Sequence, residues 1–278
     1  MKVLITGAGG MLGQDVLKVF SDLDVIGLKR EELDICDEDS VKNILLDLKP
    51  NVVINCAAFT NVDLCESEKD KAFEVNGYGP GLLASFCSKI SCKLIHISTD
   101  YVFDGTSTTP YLEDDPTNPI NVYGESKLKG EEEIKKKSED YLIIRTSWLF
   151  GQGGSNFIKT IIKLGIEQNS IQVVNDQRGC PTFTNDLAQG IRHLLENNAQ
   201  GIFNVTNTGA CTWFDLAKFV LEKKNIKVKI DPVDSNKFKR PAKRPHFSVL
   251  SPKKYRTTVK STLRHWQQAV IEYLTMSN

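Results

Sequence analysis

Tyr123 and Lys127 stand four residues apart, a spacing that has a chemical use. On a helix, residues at this spacing project from the same face, so the phenol and the amine would lie side by side. A cation beside a phenol favours the phenolate, and we expect Lys127 to lower the pKa of Tyr123. The phenol would then give the proton that a ketone oxygen needs when hydride adds to its carbon, while Lys127 also binds the ribose hydroxyls of a nicotinamide cofactor.

Thr99 follows an apolar run, Leu94 to Ile97, that is typical of a buried strand. In an open parallel sheet, ligands bind at the carboxyl ends of the strands. We therefore expect the Thr99 hydroxyl to hydrogen-bond a substrate carbonyl and to align it with Tyr123. A Tyr-x-x-x-Lys spacing alone arises often by chance on exposed helices, and threonine also favours strands, so the prediction depends on the three residues together.

A glycine-rich segment, Gly7 to Gly13, follows the first predicted strand and opens the first predicted helix. A dinucleotide pyrophosphate binds at such a place because bare backbone N–H groups and the helix dipole point at the phosphates. A tight turn between a strand and a helix needs glycine for steric reasons as well. The segment is therefore compatible with a cofactor site built on Gly7 and Gly13, and also with a purely structural turn.

Lys29 and Arg30 follow the second predicted strand, where the adenosine ribose of a dinucleotide would lie. Cations here favour the extra 2′-phosphate of NADPH over NADH. NADH stays open as the cofactor, because two cations also occur at the end of an exposed strand that binds no ligand.

Two more segments carry groups suited to the same cofactor. Residues 33–37 supply a carboxylate able to accept a hydrogen bond from the adenine amino group, with Ile35 beside the ring. Asp37 or Ser40 equally suits the role of N-cap for the following helix. Small side chains at residues 56–58, after the third predicted strand, leave room for the ribose and nicotinamide or simply pack under helices.

The first half of the chain alternates apolar runs with stretches of helical period. This pattern predicts an α/β fold with a doubly wound, Rossmann-like parallel sheet. The predicted strands are Val3–Ile5, Val25–Leu28, Val52–Ile54, Leu94–Ile97 and Leu142–Ile144. The predicted helices are Gly13–Phe20, Ser40–Leu48, Lys69–Ile90 and Tyr123–Lys137, of which the third is interrupted by glycines and a proline.

A smaller C-terminal domain is predicted beyond a hinge at Gly151–Gly154. We expect residues 1–150 to form the dinucleotide-binding domain and residues 151–278 mainly a substrate-capping domain. The chain has the pattern to return to the first domain around residues 183–208. The elements predicted in the second half are helices near Phe157–Glu167, Asn185–Asn197 and Trp213–Lys224 and a strand at Ile202–Val205.

The composition indicates a globular protein with a small-molecule partner. The 278 residues carry 35 Lys and Arg against 35 Asp and Glu, so no net charge recruits nucleic acid or an anionic membrane. No apolar run suits a signal sequence or a membrane span, which predicts a cytoplasmic protein. The seven cysteines contain no Cys-x-x-Cys pair and make no ligand spacing with the four histidines, so we expect buried, reduced thiols and no catalytic metal.

Several longer motifs together resemble the extended short-chain dehydrogenase/reductase superfamily and, within it, the dTDP-4-dehydrorhamnose reductase family. The resemblance covers nearly the full length. The motifs are Asn55–Asp63, Ser98–Phe103, Asn121–Lys127, Arg145–Trp148 and Asp176–Thr182. The resemblance implies reduction, by NADPH or NADH, of the 4-keto group on a dTDP-linked 6-deoxy-hexose, giving dTDP-L-rhamnose.

The resemblance also implies roles for individual residues. Thr99, Tyr123 and Lys127 would form the catalytic set, and the substrate would lie against Thr99, Asp100 and Trp148. The implied cofactor contacts are Gly10, Met11, Leu12, Asp34, Ile35, Cys56, Ala57 and Ala58. Arg244 matches a basic motif and suits a diphosphate, because its fork donates two parallel hydrogen bonds. A solvated basic loop explains the neighbouring lysines equally well.

One position departs from the family. Some members are thought to bind Mg²⁺ at a dimer interface through an acidic residue early in the first helix, where this chain has Gln14. We therefore carry over neither the metal nor that dimer, and a homodimer is left open.

Two other functions stay open on the sequence. A nucleotide-sugar epimerase or dehydratase would use the same Tyr-Lys pair, but dehydratases add a carboxylate pair beside the catalytic threonine, and here Asp100 is followed by Tyr101. The regulatory subunit of methionine adenosyltransferase resembles this family too and works by binding a protein partner. The complete set of Thr99, Tyr123 and Lys127 favours an enzyme.

Overall fold

A parallel sheet of six strands forms the centre of the protein, which the computed structural model describes for residues 1–276. Its strands are β1 (Lys2–Thr6), β2 (Asp24–Leu28), β3 (Val52–Asn55), β4 (Lys93–Thr99), β5 (Tyr141–Thr146) and β10 (Gly201–Asn204). They lie in the order β2-β1-β3-β4-β5-β10. The order reverses between β1 and β3, and in such sheets ligands bind beside this switch point. The predicted doubly wound sheet is confirmed.

Helices cover both faces of the sheet. Those of the first half are α1 (Met11–Val19), α2 (Glu38–Leu48), α3 (Val62–Ser67), α4 (Lys69–Phe73), α5 (Gly79–Lys89) and α6 (Val122–Lys137), with a π-helical turn at Glu74–Tyr78 and a 3₁₀ turn at Asp100–Val102. Those of the second half are α7 (Phe157–Glu167), α8 (Thr184–Glu196), α9 (Trp213–Lys223), α10 (Lys253–Val259) and α11 (Trp266–Met276), with a 3₁₀ turn at Ser235–Lys237.

Successive side chains of a strand point to opposite faces of the sheet, and helices cover both faces. The strands are therefore apolar on both faces. Val3 and Ile5 of β1 pack with Val16 of α1 and Leu187 of α8. Leu4, between them, packs on the other face with residues of α2, α5 and α6. Continuous apolar runs, rather than alternating ones, are therefore the signature that identified these strands.

The second half adds three small strand pairs around the helices α7, α9 and α11. The pairs are β6 (Leu149–Phe150) with β9 (Thr182–Phe183), β7 (Ser170–Val174) with β12 (Lys229–Val233), and β8 (Arg178–Gly179) with β11 (Cys211–Thr212). Strand β10 instead joins the central sheet beside β5, and α8 packs on the same face as α1. The domain boundary at residue 150 stays a prediction.

The remaining general expectations concern thiols and membranes. All seven cysteines are free thiols, and five of them are buried, as expected from their spacing. Within residues 1–276, no helix has the length and apolar character needed to cross a membrane.

Candidate active site

The candidate site lies at one edge of the central sheet. Gly7 follows β1, the loop 56–58 follows β3, Thr99 ends β4 and Trp148 lies just beyond β5. Because the strands are parallel, their carboxyl ends share this edge. Tyr123, in the first turn of α6, reaches the same edge through a hydrogen bond to Thr99. The structure thus brings the predicted cofactor segments together with Thr99 and Tyr123.

The glycine turn meets both a steric need and a ligand-binding need. Gly7 has φ 65°, and a Cβ atom there would lie 2.6 Å from the backbone nitrogen of Ala57, so no larger residue fits. Gly9 and Gly10 are exposed, and Gly10 caps α1 without any side-chain hydrogen bond. The first helical N–H groups are therefore bare and fit a dinucleotide pyrophosphate. The first turn of α1 contains Met11, Leu12 and Gly13, and the half-buried loop residues beside Gly7 are Cys56, Ala57 and Ala58.

Charged groups gather where the adenosine end of a dinucleotide would lie. Lys29 and Arg30 are exposed, and the Lys29 side chain lies 3.5 Å from the position of a Cβ on Gly9. Arg30 Nη2 lies 3.2 Å from Asp34 Oδ2. The backbone N–H of Cys36 and the Arg30 side chain hold the pKa of Asp34 below its usual value. Asp34 therefore carries a negative charge here, and Arg30 is partly neutralised by it.

The segment 33–37 serves the fold as well as the candidate site. Asp37 caps α2 by accepting hydrogen bonds from the N–H groups of Asp39 and Ser40, at 3.0 and 3.1 Å. Ile35 is only 3 % exposed and packs against Gly79 of α5. The capping role foreseen for Asp37 is confirmed, and the Ile35 side chain belongs to the core.

Tyr123, Thr99 and Asp100 form a hydrogen-bonded group at the end of β4. The Thr99 hydroxyl donates to Asp100 Oδ1 at 3.0 Å and also hydrogen-bonds the Tyr123 phenol. Burial raises the pKa of Tyr123, and the hydrogen bond with Thr99 opposes this shift only in part. Burial also raises the pKa of Asp100 to about 7. Tyr123 therefore keeps its proton at neutral pH, whereas Asp100 titrates close to neutral pH.

Lys127 lies against β4. Its Nζ donates to the backbone oxygen of Ile97 at 2.5 Å and lies 3.2 Å from His96 Nε2. Burial lowers the pKa of Lys127 to about 8. Lys127 is not among the groups that shift the pKa of Tyr123, so the prediction that it lowers that pKa is wrong. The amine instead has its hydrogen-bond partners on β4, in Ile97 and His96.

Trp148 is held in a fixed orientation beyond β5. Its φ of 48° lies in the left-handed region, which costs a non-glycine residue about 1–3 kcal/mol and persists only where the surroundings impose it. Its ring stacks on Trp213 with 3.5 Å between centroids and 6° between planes. The ring also lies close to Gly179, where a Cβ would come within 2.5 Å of it. The indole is thus clamped by its contacts with α9 and with the segment carrying Gly179.

Arg244 is held by an ion pair that the sequence did not predict. Its Nη1 and Nη2 donate to Asp63 Oδ1 and Oδ2 at 2.6 and 2.9 Å, which holds the pKa of Asp63 below its usual range. Asn121, the N-cap of α6, donates to the backbone oxygen of Lys243 at 2.7 Å. The basic loop is therefore tied to α3 and to the start of the helix that carries Tyr123. Asp63 lies 181 residues from Arg244, and no local pattern links them.

Sequence reasoning also missed buried polar residues beneath the site. Asn55, His96, Glu131 and Arg145 are at most 2 % exposed and hydrogen-bonded to one another or to neighbouring residues. The available signal was the polar residue that interrupts or ends an apolar strand run, as His96 does between Ile95 and Ile97. These residues fix the positions of the groups above them.

Comparisons with known proteins agree with this geometry. The sequence matches the family described as the RmlD substrate binding domain over residues 1–278. It is 42 % identical to the spore coat polysaccharide biosynthesis protein SpsK of Bacillus subtilis, over 98 % of this chain and 96 % of that protein. The crystal structure of a dTDP-4-dehydrorhamnose reductase from Clostridium acetobutylicum superposes with a TM-score of 0.98 at 40 % identity, covering 100 % of this chain and 99 % of that one.

A second solved structure is a dTDP-4-dehydrorhamnose reductase from Bacillus anthracis in complex with NADP. It superposes with a TM-score of 0.96 at 36 % identity and covers 99 % of each chain. The resemblance drawn from the motifs is thereby confirmed over the whole length. The chain belongs to the RmlD substrate binding domain family.

Proposed function

We propose that this protein is an NADPH-dependent reductase that converts the 4-keto group of dTDP-4-dehydrorhamnose to the alcohol, giving dTDP-L-rhamnose. The observation that carries the proposal is the group of Tyr123, Thr99 and Asp100 at the sheet edge that also holds the glycine turn. Solved relatives named dTDP-4-dehydrorhamnose reductase support the substrate, and the one in complex with NADP supports the cofactor.

The cofactor would be held by its two phosphate-bearing parts. The bare N–H groups at residues 11 and 12 are suited to the pyrophosphate, and Lys29 with Arg30 to the 2′-phosphate that distinguishes NADPH from NADH. Asp34 and the loop 56–58 would contact the adenosine and the nicotinamide ribose. Bound NADPH supplies the hydride that adds to C4 of the sugar.

Tyr123 would supply the proton. Because burial raises its pKa, the phenol is protonated at neutral pH and can transfer its proton to the alkoxide oxygen as the C–H bond forms. Thr99, bonded to both Tyr123 and Asp100, would hold the substrate oxygen in line with the phenol. Lys127 would contribute a positive charge and hydrogen bonds on the cofactor side of the site.

The sugar nucleotide would be bound by the residues that the second half brings to the edge. The indole of Trp148 stacks one face on Trp213 and would offer its other face to a hexose, and Asp100 would offer a carboxyl group to the sugar hydroxyls. Arg244 would bind the diphosphate through its Nε–H and its second Nη2–H, because Asp63 and the Ala242 carbonyl accept the other three guanidinium hydrogens. A cytoplasmic location and a homodimer stay predictions from the sequence.

The proposal is tested by mixing dTDP-4-keto-6-deoxy sugars with NADPH or NADH and following the loss of nicotinamide absorbance. We expect one NADPH to be oxidised for each sugar reduced. Product formation without net NADPH oxidation would indicate an epimerase or dehydratase. No reaction with any keto-sugar, together with a stoichiometric protein partner in a pull-down, would indicate a regulatory subunit.

Tyr123→Phe tests the proton donor. We expect kcat to fall at least about a hundredfold, the usual scale for a positioned general acid, with NADPH affinity kept. Tyr78→Phe is the control, because Tyr78 is 46 % exposed at the end of the π-helical turn that precedes α5. Turnover by Tyr123→Phe close to that of the control would remove Tyr123 from the mechanism. Lys127→Ala should impair both turnover and cofactor affinity, and a change in neither would remove Lys127.

A further inference from the structure

A row of buried polar side chains crosses three strands of the central sheet. The register places Thr6 beside Asn55 and Asn55 beside His96. All three residues are fully buried. The row continues onto α6, where the Lys127 amine lies 3.2 Å from His96 Nε2. The four side chains therefore form one connected system that begins at the residue before the glycine turn.

The backbone fixes the direction of these hydrogen bonds. The N–H of Ala57 can only donate, so its partner 3.1 Å away is the oxygen of Asn55, which also accepts from the Thr6 hydroxyl at 2.6 Å. The Asn55 amide nitrogen then faces His96 Nδ1 at 3.0 Å and donates to it. Burial keeps the pKa of His96 well below its usual value, so the ring is neutral. A neutral imidazole that accepts at Nδ1 carries its proton on Nε2.

The Nε2–H of His96 therefore points at the Lys127 nitrogen. An ammonium group has three donors and no acceptor, so it cannot accept this hydrogen bond. A neutral amine accepts it through its lone pair and still donates to the Ile97 oxygen, 2.5 Å away. The geometry thus favours the uncharged form of Lys127.

Two other ionisable groups act on the Lys127 amine. Glu131 on α6 favours the charged amine, and the Cys56 thiol, beyond β3, acts in the same direction. The Cys56 contribution is small near neutral pH, because burial raises the pKa of that thiol to about 12. Burial of Lys127 itself acts in the opposite direction and is the largest influence. The Nε2–H of His96 acts in the same direction as burial, because it favours the uncharged amine.

We propose that His96 is a positioning residue that holds Lys127 as a neutral amine against β4, and that Lys127 takes up a proton from solvent when the dinucleotide binds. The inference rests on the proposed function, because the anionic phosphates and ribose oxygens of NADPH are the groups that favour an ammonium ion there. It gives His96 a role in setting when the site becomes charged, without any contact between His96 and the substrate.

Calorimetry of NADP⁺ binding tests this proposal. Titrations at about pH 8.5 in two buffers of different ionisation enthalpy give the number of protons taken up per nucleotide bound. At this pH the 2′-phosphate is fully ionised and does not add to the uptake. We expect the unmodified protein to take up about half a proton or more per nucleotide, because Lys127, with a pKa of about 8, is then mainly uncharged before binding.

Two variants change the hydrogen bond between His96 and Lys127. One replaces His96 itself, and the other changes Asn55, the partner of its Nδ1. His96→Gln places an amide that can turn its oxygen toward the ammonium form of Lys127. Asn55→Asp makes residue 55 an acceptor only, so His96 carries its proton on Nδ1 and Nε2 becomes an acceptor for the ammonium. In both, we expect proton uptake at least about threefold smaller than in the unmodified protein. His193→Gln is the control, because His193 bonds Tyr255 away from the site, and its uptake should be unchanged.

Each outcome decides the matter. The role of His96 is overturned if the unmodified protein takes up no proton, or if a variant that folds takes up as many protons as the unmodified protein. In either case a measurable heat of nucleotide binding leaves the proposed function intact. If the unmodified protein binds neither NADP⁺ nor NAD⁺, both proposals fail. Circular dichroism identifies a variant that does not fold, and the uptake of the unmodified protein is informative without either variant.

Discussion

Glu131→Gln is expected to lower the free energy of unfolding by about 3–5 kcal/mol, the usual effect of removing one partner from a buried ion pair. Glu131 is fully buried on α6 and accepts hydrogen bonds from Arg145 Nε and Nη2 at 2.9 and 2.7 Å. It also accepts from the Ser98 hydroxyl at 2.6 Å. Three donors, two of them from the guanidinium of Arg145, which is 2 % exposed, therefore converge on a single carboxylate.

The size of the effect follows from what glutamine cannot do. Its one oxygen, in the position of Oε1, can keep the bonds from Ser98 and from Arg145 Nε, but its NH₂ group then faces the N–H of Arg145 Nη2. The buried Arg145 charge is left without an anion, and this desolvated charge accounts for most of the expected loss. Because Ser98 immediately precedes Thr99, we also expect turnover to fall as the end of β4 loses its anchor.

Glu133→Gln, two residues further along the same helix, is the matched control. Glu133 pairs with Lys129 and Lys137 at 3.0 and 3.1 Å, near the surface. Exposed pairs of this kind contribute about 0–1 kcal/mol. Urea denaturation of both variants measures the difference directly. A difference between them of less than about 1 kcal/mol would refute the argument that the Glu131–Arg145 pair anchors the site.

Three further changes test other parts of the site. Burial raises the pKa of Asp100 to about 7, so the stability that its protonated form contributes is lost as the pH rises through that value. In urea titrations, the free energy of unfolding of Asp100→Asn relative to the unmodified protein should therefore increase from about pH 5 to about pH 8. A difference that stays constant with pH would contradict this. Trp213→Leu removes the stacking partner of Trp148, so in steady-state kinetics the KM for the sugar nucleotide should rise about two- to tenfold while the KM for NADPH stays unchanged. Equal rises in both KM values would show that the stack does not position Trp148 for the sugar. Replacing Lys29 and Arg30 together by glutamine should raise the KM for NADPH about tenfold and leave that for NADH unaltered, and a loss shared by both cofactors would contradict a 2′-phosphate site.

Most of the central sheet could be predicted because burial on both faces leaves a strong trace in the sequence. Runs such as Val52–Ile54 and Leu142–Ile144 are continuous and rich in β-branched residues, and each ends at a polar residue. The glycines within Lys69–Ile90 also carried information. They mark the π-helical turn Glu74–Tyr78, at which the backbone departs from the α-helix without ending the helical segment.

The second half was harder to predict because its strands are short and pair over long separations. Strand β7 is partly exposed, and its partner β12 lies about 60 residues away and contains a proline. The stack of Trp148 on Trp213 and the ion pair of Asp63 with Arg244 are likewise contacts between distant segments. No local period or propensity specifies such contacts, since they follow from how complete elements pack.

The prediction for Lys127 failed for a different reason. Helical spacing correctly places Tyr123 and Lys127 on one face of α6, but it does not say which group on the neighbouring strand each will meet. Tyr123 meets Thr99 at the end of β4, whereas Lys127 meets Ile97 and His96 further back along the same strand. The strand partner, rather than the distance along the helix, therefore sets the electrostatics of each residue.

Two polar rows explain how the sheet fixes α6 so closely to β4. The first row ends at His96 and meets Lys127, and the second places Ser98 beside Arg145 and meets Glu131. Lys127 and Glu131 are one helical turn apart, so consecutive turns of the helix are joined to alternate residues of the strand. Buried polar groups are costly unless every partner is in place, which makes them effective in specifying one register. The protein gives up apolar burial at this edge of the sheet, and in return the phenol of Tyr123 has one position relative to the hydroxyl of Thr99.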